Sequence, residues 1–188
     1  MSLRTRLTAT VAVLALLVSA IAAVVHSSFT ATTGNGVSSF ESGSISLTDD
    51  DSAKVLFDVD GLEPASPPVK RCITVKYASA GELRSSVRLY GATSGALAPH
   101  LKLTVRRGLW GGTRPGGLEC GNAFIAEQTI FHGTLAEFPD SWLDGIGEAA
   151  MWDHDDSHVY QLEVSLADTD DAQGKSASQS FTFEARTS

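Results

Sequence analysis

Short stretches in which apolar and polar residues alternate recur along most of the chain. In the clearest one, residues 71–77, cysteine, threonine and lysine alternate with isoleucine, valine and tyrosine. This period of two is typical of β-strands with one buried face. Comparable runs occupy residues 44–47, 55–59, 86–90, 101–105, 124–131, 158–166 and 180–184. Turn residues separate them, so the pattern predicts an all-β fold, a β-sandwich or jelly roll of about eight strands.

Two stretches depart from this pattern. Within residues 133–147, Leu135, Phe138 and Trp142 have a helical spacing, which predicts one short helix that Pro139 limits. Residues 108–121 contain six glycines and one proline, which indicates a long loop.

The N-terminus has the pattern of an export signal. Arg4 and Arg6 precede a stretch of apolar or small residues, 7–25, that only two threonines and one serine interrupt, and the chain turns polar at His26. Alanines near its end fit an A-x-A-like cleavage pattern, so residues 1–25 are interpreted as a signal peptide. The alternative is a retained membrane anchor, because about 19 residues could just span a bilayer. Either way the mature part is expected to be extracellular or on the cell surface.

Residues 26–39 form a segment rich in Ser, Thr and Gly, ahead of a β-sandwich domain over residues 40–188. Phe29 and Val37 are its only large apolar residues, so the segment cannot bury a core of its own. Together with Thr30 and Thr32, they would suit a strand donated to the sheet edge of another subunit. The alternative is a disordered N-terminal tail.

The charge balance restricts the partners. The chain of 188 residues has 14 basic and 22 acidic residues, a net charge of −8. Without Arg4 and Arg6, 12 basic residues would stand against the 22 acidic ones, which makes −10. This charge argues against nucleic acid and anionic membrane surfaces as partners. Membrane contact is expected only through an uncleaved signal segment.

Two cysteines, Cys72 and Cys120, are expected to form a disulfide because an exported protein meets an oxidising compartment. The bond would close a loop of about 49 residues and stabilise the fold by about 4 kcal/mol in the chain-entropy model. A metal site would need more soft ligands, and a cysteine nucleophile would need a base that no local pattern provides.

Catalytic motifs are absent from the sequence: it contains no H-E-x-x-H, G-x-S-x-G, P-loop or G-x-G-x-x-G. We therefore predict no catalytic residue and no enzymatic activity. Among the 22 acidic residues a glycosidase pair remains open, but none is singled out, so a hydrolase is the third interpretation.

Acidic clusters offer weak candidates for a metal. Asp153, Asp155 and Asp156 lie beside two histidines and could ligate a divalent cation, although a solvated hairpin turn is the alternative. Residues 49–51 and 168–171 are also acidic and fall where strands should end, a common place for calcium in extracellular β domains. Calcium is therefore the only cofactor that the sequence suggests.

One tryptophan is a candidate ligand-binding residue. Trp110 lies in the glycine-rich stretch and could offer a platform for a sugar, while packing against the core is the usual role of tryptophan.

Several segments carry a family resemblance. Residues 29–35 read FTATTGN and residues 40–47 read FESGSISL. They are similar to the start of TasA-like and camelysin-like proteins, in which a Phe and a Thr-rich stretch precede an F-x-A-G-T-L-x-L-like strand. Gly43 is kept, whereas Ser42 and Ser44 replace the small residue and the threonine. Residues 71–77, 87–90 and 131–135 resemble an actinobacterial branch of this family.

The resemblance implies a jelly-roll sandwich, a SipW-type signal peptide and assembly into extracellular matrix fibres. In such fibres the N-terminal segment of one subunit completes the sheet of the next. Some relatives carry a metallopeptidase label, for which this chain lacks the H-E-x-x-H motif. The prediction is a secreted, non-enzymatic, self-associating fibre subunit. The alternative is a secreted binding module for carbohydrate or protein that uses Trp110.

Overall fold

The computed structural model describes residues 30–33, 45–51, 56–57, 62–64 and 66–187. The expected signal peptide, Phe29 and Val37 lie outside them. The described strands are β1 Thr30–Thr33, β2 Ile45–Asp49, β3 Val69–Ser79, β4 Ser85–Tyr90, β5 Thr93–Ser94, β6 Leu101–Trp110, β7 Phe124–Thr134, β8 Ile146–Gly147, β9 Ser157–Leu166, β10 Ser178–Gln179 and β11 Thr182–Thr187. Single 3-10 turns occupy Ala98–His100, Leu135–Glu137 and Asp170–Ala172.

The strands form antiparallel sheets in a sandwich-like arrangement. A five-stranded sheet has the order β2-β3-β9-β6-β7, a four-stranded sheet has the order β1-β11-β4-β8, and β10 pairs with β5. The prediction of an all-β fold is confirmed. Within the described residues, no helix has the length and apolar character needed to cross a bilayer.

The core lies between the inward faces of the two larger sheets. Val87, Leu89 and Phe183 of the four-stranded sheet are buried, and so are the alternating residues of β3, β6 and β9. The rings of Tyr160 and Phe183 meet across the interface with centroids 4.8 Å apart. Burying these side chains supplies the main driving force of the fold, about 1.5–3 kcal/mol for each large residue.

A second, smaller apolar cluster lies on the outer face of the five-stranded sheet. Cys72 and Cys120 form the expected disulfide, with Cα atoms 5.0 Å apart, and Val159 is buried beside it. Trp110 and Phe124 pack against this cluster. The cluster explains why β9 is apolar at Val159, on the face opposite the main core.

The two irregular stretches differ from their predicted form. Where a short helix was expected, only the turn Leu135–Glu137 forms. Thr134 and Glu137 cap its start, and Pro139 disfavours a helical backbone at Phe138, which is extended. In the glycine-rich stretch, β6 continues through Trp110, so the loop is shorter than expected. Of the strand predicted over residues 55–59, only Leu56 and Phe57 are described, and neither lies in a strand.

Candidate functional site

The N-terminal strand β1 lies at an edge of the four-stranded sheet. It pairs antiparallel with β11, with Thr30 opposite Arg186 and Thr32 opposite Glu184. The candidate donor residues Thr30 and Thr32 therefore lie in a strand that completes the sheet of their own chain. The side chains of β1 are not described, so the site is built from its backbone pairing and from β11.

Strand β11 is firmly anchored in the body of the protein. It pairs with β4 over six residues, from Thr182 opposite Tyr90 to Thr187 opposite Ser85. Phe183 and Ala185 point into the core and are almost fully buried. A strand held in this way provides a fixed edge for whichever segment pairs with its other side.

The outer face of β11 carries a compact polar network. Glu184 is only 3% exposed, and its carboxylate accepts hydrogen bonds from the hydroxyl of Tyr90 and, over 2.7 Å, from Nε of Arg186. Burial and then the Glu184 carboxylate raise the pKa of Tyr90 to about 12. The guanidinium groups of Arg186 and Arg88 lie 4.5 and 5.2 Å from the ring centre of Trp142. This network fixes the register of β11 beside β4.

The remaining sheet edges are less suited to pairing with another strand. β7 is long, but Glu127 and Ile130 are extra residues without partners in β6, which makes two bulges. Bulges and charges twist and block an edge. β8 has two residues, and β2 has five. Among the described sheets, the side of β11 on which β1 lies is therefore a regular site for strand pairing, and β1 occupies four of its six residues.

Trp110, the candidate ligand residue, is half-buried in the disulfide cluster. Its indole N–H donates to Oγ1 of Thr74 over 3.1 Å, and its ring meets Phe124 edge-on, with centroids 6.4 Å apart. The guanidinium of Arg114 lies 5.7 Å from the ring centre. These contacts favour the packing role of Trp110 over that of an open platform for a sugar.

The candidate metal ligands between β8 and β9 form a tight turn. Asp153 pairs with Arg84 at 2.6 Å and Asp155 with Lys76 at 2.9 Å. Asp156 accepts a hydrogen bond from the backbone N–H of Asp153 over 2.6 Å. The hydrogen bond from Lys76 lowers the pKa of Asp155, which keeps its carboxylate charged. All three carboxylates thus have partners within the protein. This agrees with the alternative interpretation of the segment as a hairpin turn and not a metal site.

The acidic residues at the end of β2 are also engaged internally. Asp50 pairs with Arg114 and accepts a hydrogen bond from the backbone N–H of Thr74 over 2.9 Å. Burial, then hydrogen bonding and repulsion from Asp51, raise the pKa of Asp49 to about 6. Asp50 thus connects the end of β2 to β3 and to the glycine-rich loop.

The third acidic stretch caps a turn. The hydroxyl of Thr169 accepts a hydrogen bond from the backbone N–H of Asp171 over 3.2 Å, at the start of Asp170–Ala172. Across the part of the chain that the structure describes, no group of three or more His, Cys, Asp or Glu side chains is placed to hold a metal ion.

A buried polar cluster escaped prediction from the sequence. Glu148 accepts a hydrogen bond from the hydroxyl of Tyr160 over 3.1 Å and forms an ion pair with Arg107. His158 lies 3.9 Å from the same carboxylate, and its ring contacts Trp152 with centroids 4.4 Å apart. Burial above all raises the pKa of Tyr160 well above its usual value. The only signal in the sequence was that His158 and Tyr160 share one face of a strand.

Comparison with known proteins assigns no family. No protein-family model matches the chain, and no curated protein matches it.

Proposed function

We propose that this protein is a secreted structural subunit that self-associates when β1 of one chain pairs with β11 of another. The observation that carries the proposal is the position of β1: a four-residue strand at a sheet edge, whose paired residues in β11 lie 150 to 156 positions away in sequence. Such a terminal edge strand is the element most easily exchanged between identical chains.

The reach of the chain permits this exchange. Eleven residues separate Thr33 from Ile45, where β2 begins. Fully extended, they would span at most about 36–40 Å. That distance exceeds the width of a small sheet, so β1 could reach the β11 edge of an adjacent molecule while β2 stays in its own.

The energetics also favour exchange over dissociation. In trans, β1 would make the same backbone hydrogen bonds with β11 that it makes in cis, each worth about 0.5–1.5 kcal/mol net. An unoccupied β11 would instead expose unpaired N–H and C=O groups, which is an aggregation hazard. Because donor and acceptor are different surfaces, the contact is heterologous and produces an open chain of subunits, the geometry of a fibre.

The disulfide is consistent with the proposed location. Cys72–Cys120 is the kind of bond that persists in oxidising compartments. Cleavage of a signal peptide over residues 1–25 would leave β1 close to the new N-terminus of the mature chain. Removal of the signal peptide during export would therefore free β1, the strand that pairs with β11 of another chain.

A cysteine-mixing experiment tests the exchange. Thr30 lies directly opposite Arg186, so Thr30→Cys and Arg186→Cys are prepared as separate proteins, mixed and oxidised. We expect a disulfide-linked dimer on non-reducing electrophoresis that neither protein gives alone. Mass spectrometry should locate the link between the two introduced cysteines. The matched control mixes Thr30→Cys with Lys102→Cys, an exposed position in the other sheet, and should yield only background.

Crosslinking within one chain only would refute the exchange. If the mixture stays monomeric, while Thr30→Cys and Arg186→Cys combined in one chain give an internal crosslink, β1 pairs only in cis and the proposal fails. Because Arg186 also contacts Glu184, a second test avoids its substitution. Deleting residues 26–39 should abolish the regular series of oligomers in sedimentation runs, leaving monomer or irregular aggregate, and the same series with and without the segment would also refute strand exchange.

A further inference from the structure

A large cavity lies at one end of the sandwich, away from β1 and from the cluster around Glu148. Its volume is about 1050 Å³. The lining includes Val69 and Leu101, the first residues of β3 and β6, and Leu166, the last residue of β9. Phe181 and Thr182 line it where β11 begins. The cavity thus lies between the two sheets, at the upper end of the size range of about 300–1000 Å³ typical of small-molecule sites.

The deep part of this cavity is apolar. Its buried lining residues are Leu101, Leu135, Val164 and Ala172. Half-buried leucines and Phe181 extend the same surface outward. The charged residues of the lining are exposed or half-exposed. A ligand in the deep part would therefore gain by burying hydrocarbon and would find no buried charge to pair with.

The rim is polar and mostly uncharged. Hydroxyl and amide side chains follow one another along residues 176–182, where Ser176, Ser178, Gln179 and Ser180 all line the cavity. Lys175 adds one cation, with Nζ 3.2 Å from Nε2 of His100, and Asp51, Glu63 and Asp170 add three carboxylates. An apolar interior below a rim of hydrogen-bonding groups matches a molecule with an apolar body and a polar end.

We infer that this cavity binds the acyl chain of a single-chain amphiphile, with its polar head at the rim. A sugar is the wrong ligand, because its hydroxyl groups would lose their hydrogen bonds to water against an apolar wall. The site uses no residue of β1, so it is independent of the proposed strand exchange.

Fluorescence binding with dansyl-undecanoic acid tests the inference. We expect saturable enhancement with the intact mature chain, and displacement by palmitic acid or monopalmitoylglycerol. A preference for the acid would assign the head to the cation Lys175, and a preference for the glyceride would assign it to the hydroxyl rim. Because bound ligand stabilises the native state by mass action, palmitic acid should also raise the thermal unfolding midpoint.

Two variants connect binding to the cavity. Ala177→Trp places an indole in the lining and should weaken binding about tenfold or more, a loss of about 1.4 kcal/mol for each factor of ten. Ala150→Trp, at an exposed alanine outside the cavity, is the matched control and should bind as the parent does. If Ala177→Trp does not fold, Leu97→Gln adds an amide to the wall with little change in bulk and should also weaken binding.

Two results would overturn the inference. One is the absence of saturable enhancement with a parent protein whose circular dichroism shows it to be folded. The other is equal binding by the parent, the cavity variants and the control, which would mean non-specific adsorption to the surface.

Discussion

At the scale of single residues, Asp49 makes the stability of the fold depend on pH in the acidic range. Burial contributes most to the rise of its pKa from 3.8 to about 6, and Asp51 adds a hydrogen bond and a repulsive charge. In the unfolded chain the same carboxyl titrates near its ordinary value, about 3.9. Between these two values the folded state binds more protons than the unfolded state. The contribution of Asp49 to stability is therefore favourable at low pH and is lost as pH rises through this window.

Replacing this carboxyl should expose its effect. Asp49→Asn removes the ionisation, so we expect a higher urea midpoint than the parent at about pH 7 and a smaller difference at about pH 5. The measurement is urea unfolding followed by circular dichroism at both pH values. Asp168→Asn, at an exposed aspartate, is the control and should stay within about 0.5 kcal/mol of the parent. A difference between variant and parent that did not change with pH would contradict the assignment.

At the scale of elements, the β6–β7 pair depends on a glycine at its bulge. A Cβ atom on Gly108 would meet the carbonyl oxygen of Ile125 at 2.0 Å and the ring of Phe124 at 2.8 Å. A register shift separates Arg107 from Gly108, so β7 crosses unusually close to β6 here. The close approach of two backbones, rather than a special dihedral angle, makes glycine necessary at this position.

The corresponding prediction compares two glycines. Gly108→Ala should lower the free energy of unfolding by about 1–3 kcal/mol, because β7 must shift to admit the methyl group. Gly112→Ala, where nothing lies within 4 Å of the added atom, should be neutral within about 0.5 kcal/mol or slightly stabilising. Urea denaturation of both variants provides the measurement. A neutral Gly108→Ala would mean that the two backbones are farther apart than the structure places them.

The elements that the sequence predicts well are those in which alternation reflects burial on one face. β3, β4, β6 and β9 fall in this class, and their inward residues form the core. The two-residue strands β5, β8 and β10 are too short to show a period. Val159 interrupts the pattern of β9 because a second apolar cluster lies outside the main core, and periodicity along one strand contains no information about such a cluster.

The candidate sites were harder to predict than the fold, for a related reason. The composition of the N-terminal segment and its family resemblance suggested a strand, but not that β11 would be its partner, because pairing over such a distance leaves no local pattern. The cluster around Glu148 was not predicted for the same reason, because Arg107, Glu148 and Tyr160 come from separate parts of the chain. The cavity likewise arises only where the ends of β3, β6, β9 and β11 meet.

At the scale of the whole molecule, net charge determines how readily subunits approach one another. The chain carries −8, and −10 without Arg4 and Arg6, so identical subunits repel. Raising the ionic strength from about 0.01 to 0.15 M shortens the Debye length from about 30 to 8 Å. At the higher value, repulsion between subunits is largely screened, while short-range contacts such as the pairing of β1 with β11 are little affected. Proposed strand exchange should therefore strengthen with salt.

Sedimentation velocity at matched ionic strength tests this prediction and separates screening from calcium binding. With the mature chain, we expect larger species in NaCl at about 0.15 M than at about 0.01 M, and the same distribution in CaCl₂ of equal ionic strength. The chain lacking residues 26–39 should not form these species in any of the three solutions. Assembly that weakens with NaCl would contradict screening. Assembly that requires millimolar CaCl₂ would instead assign calcium to the exposed carboxylates. In that case the double variant Asp153→Asn, Asp155→Asn should abolish assembly. Its neutral side chains could no longer exchange their partners, Arg84 and Lys76, for the cation.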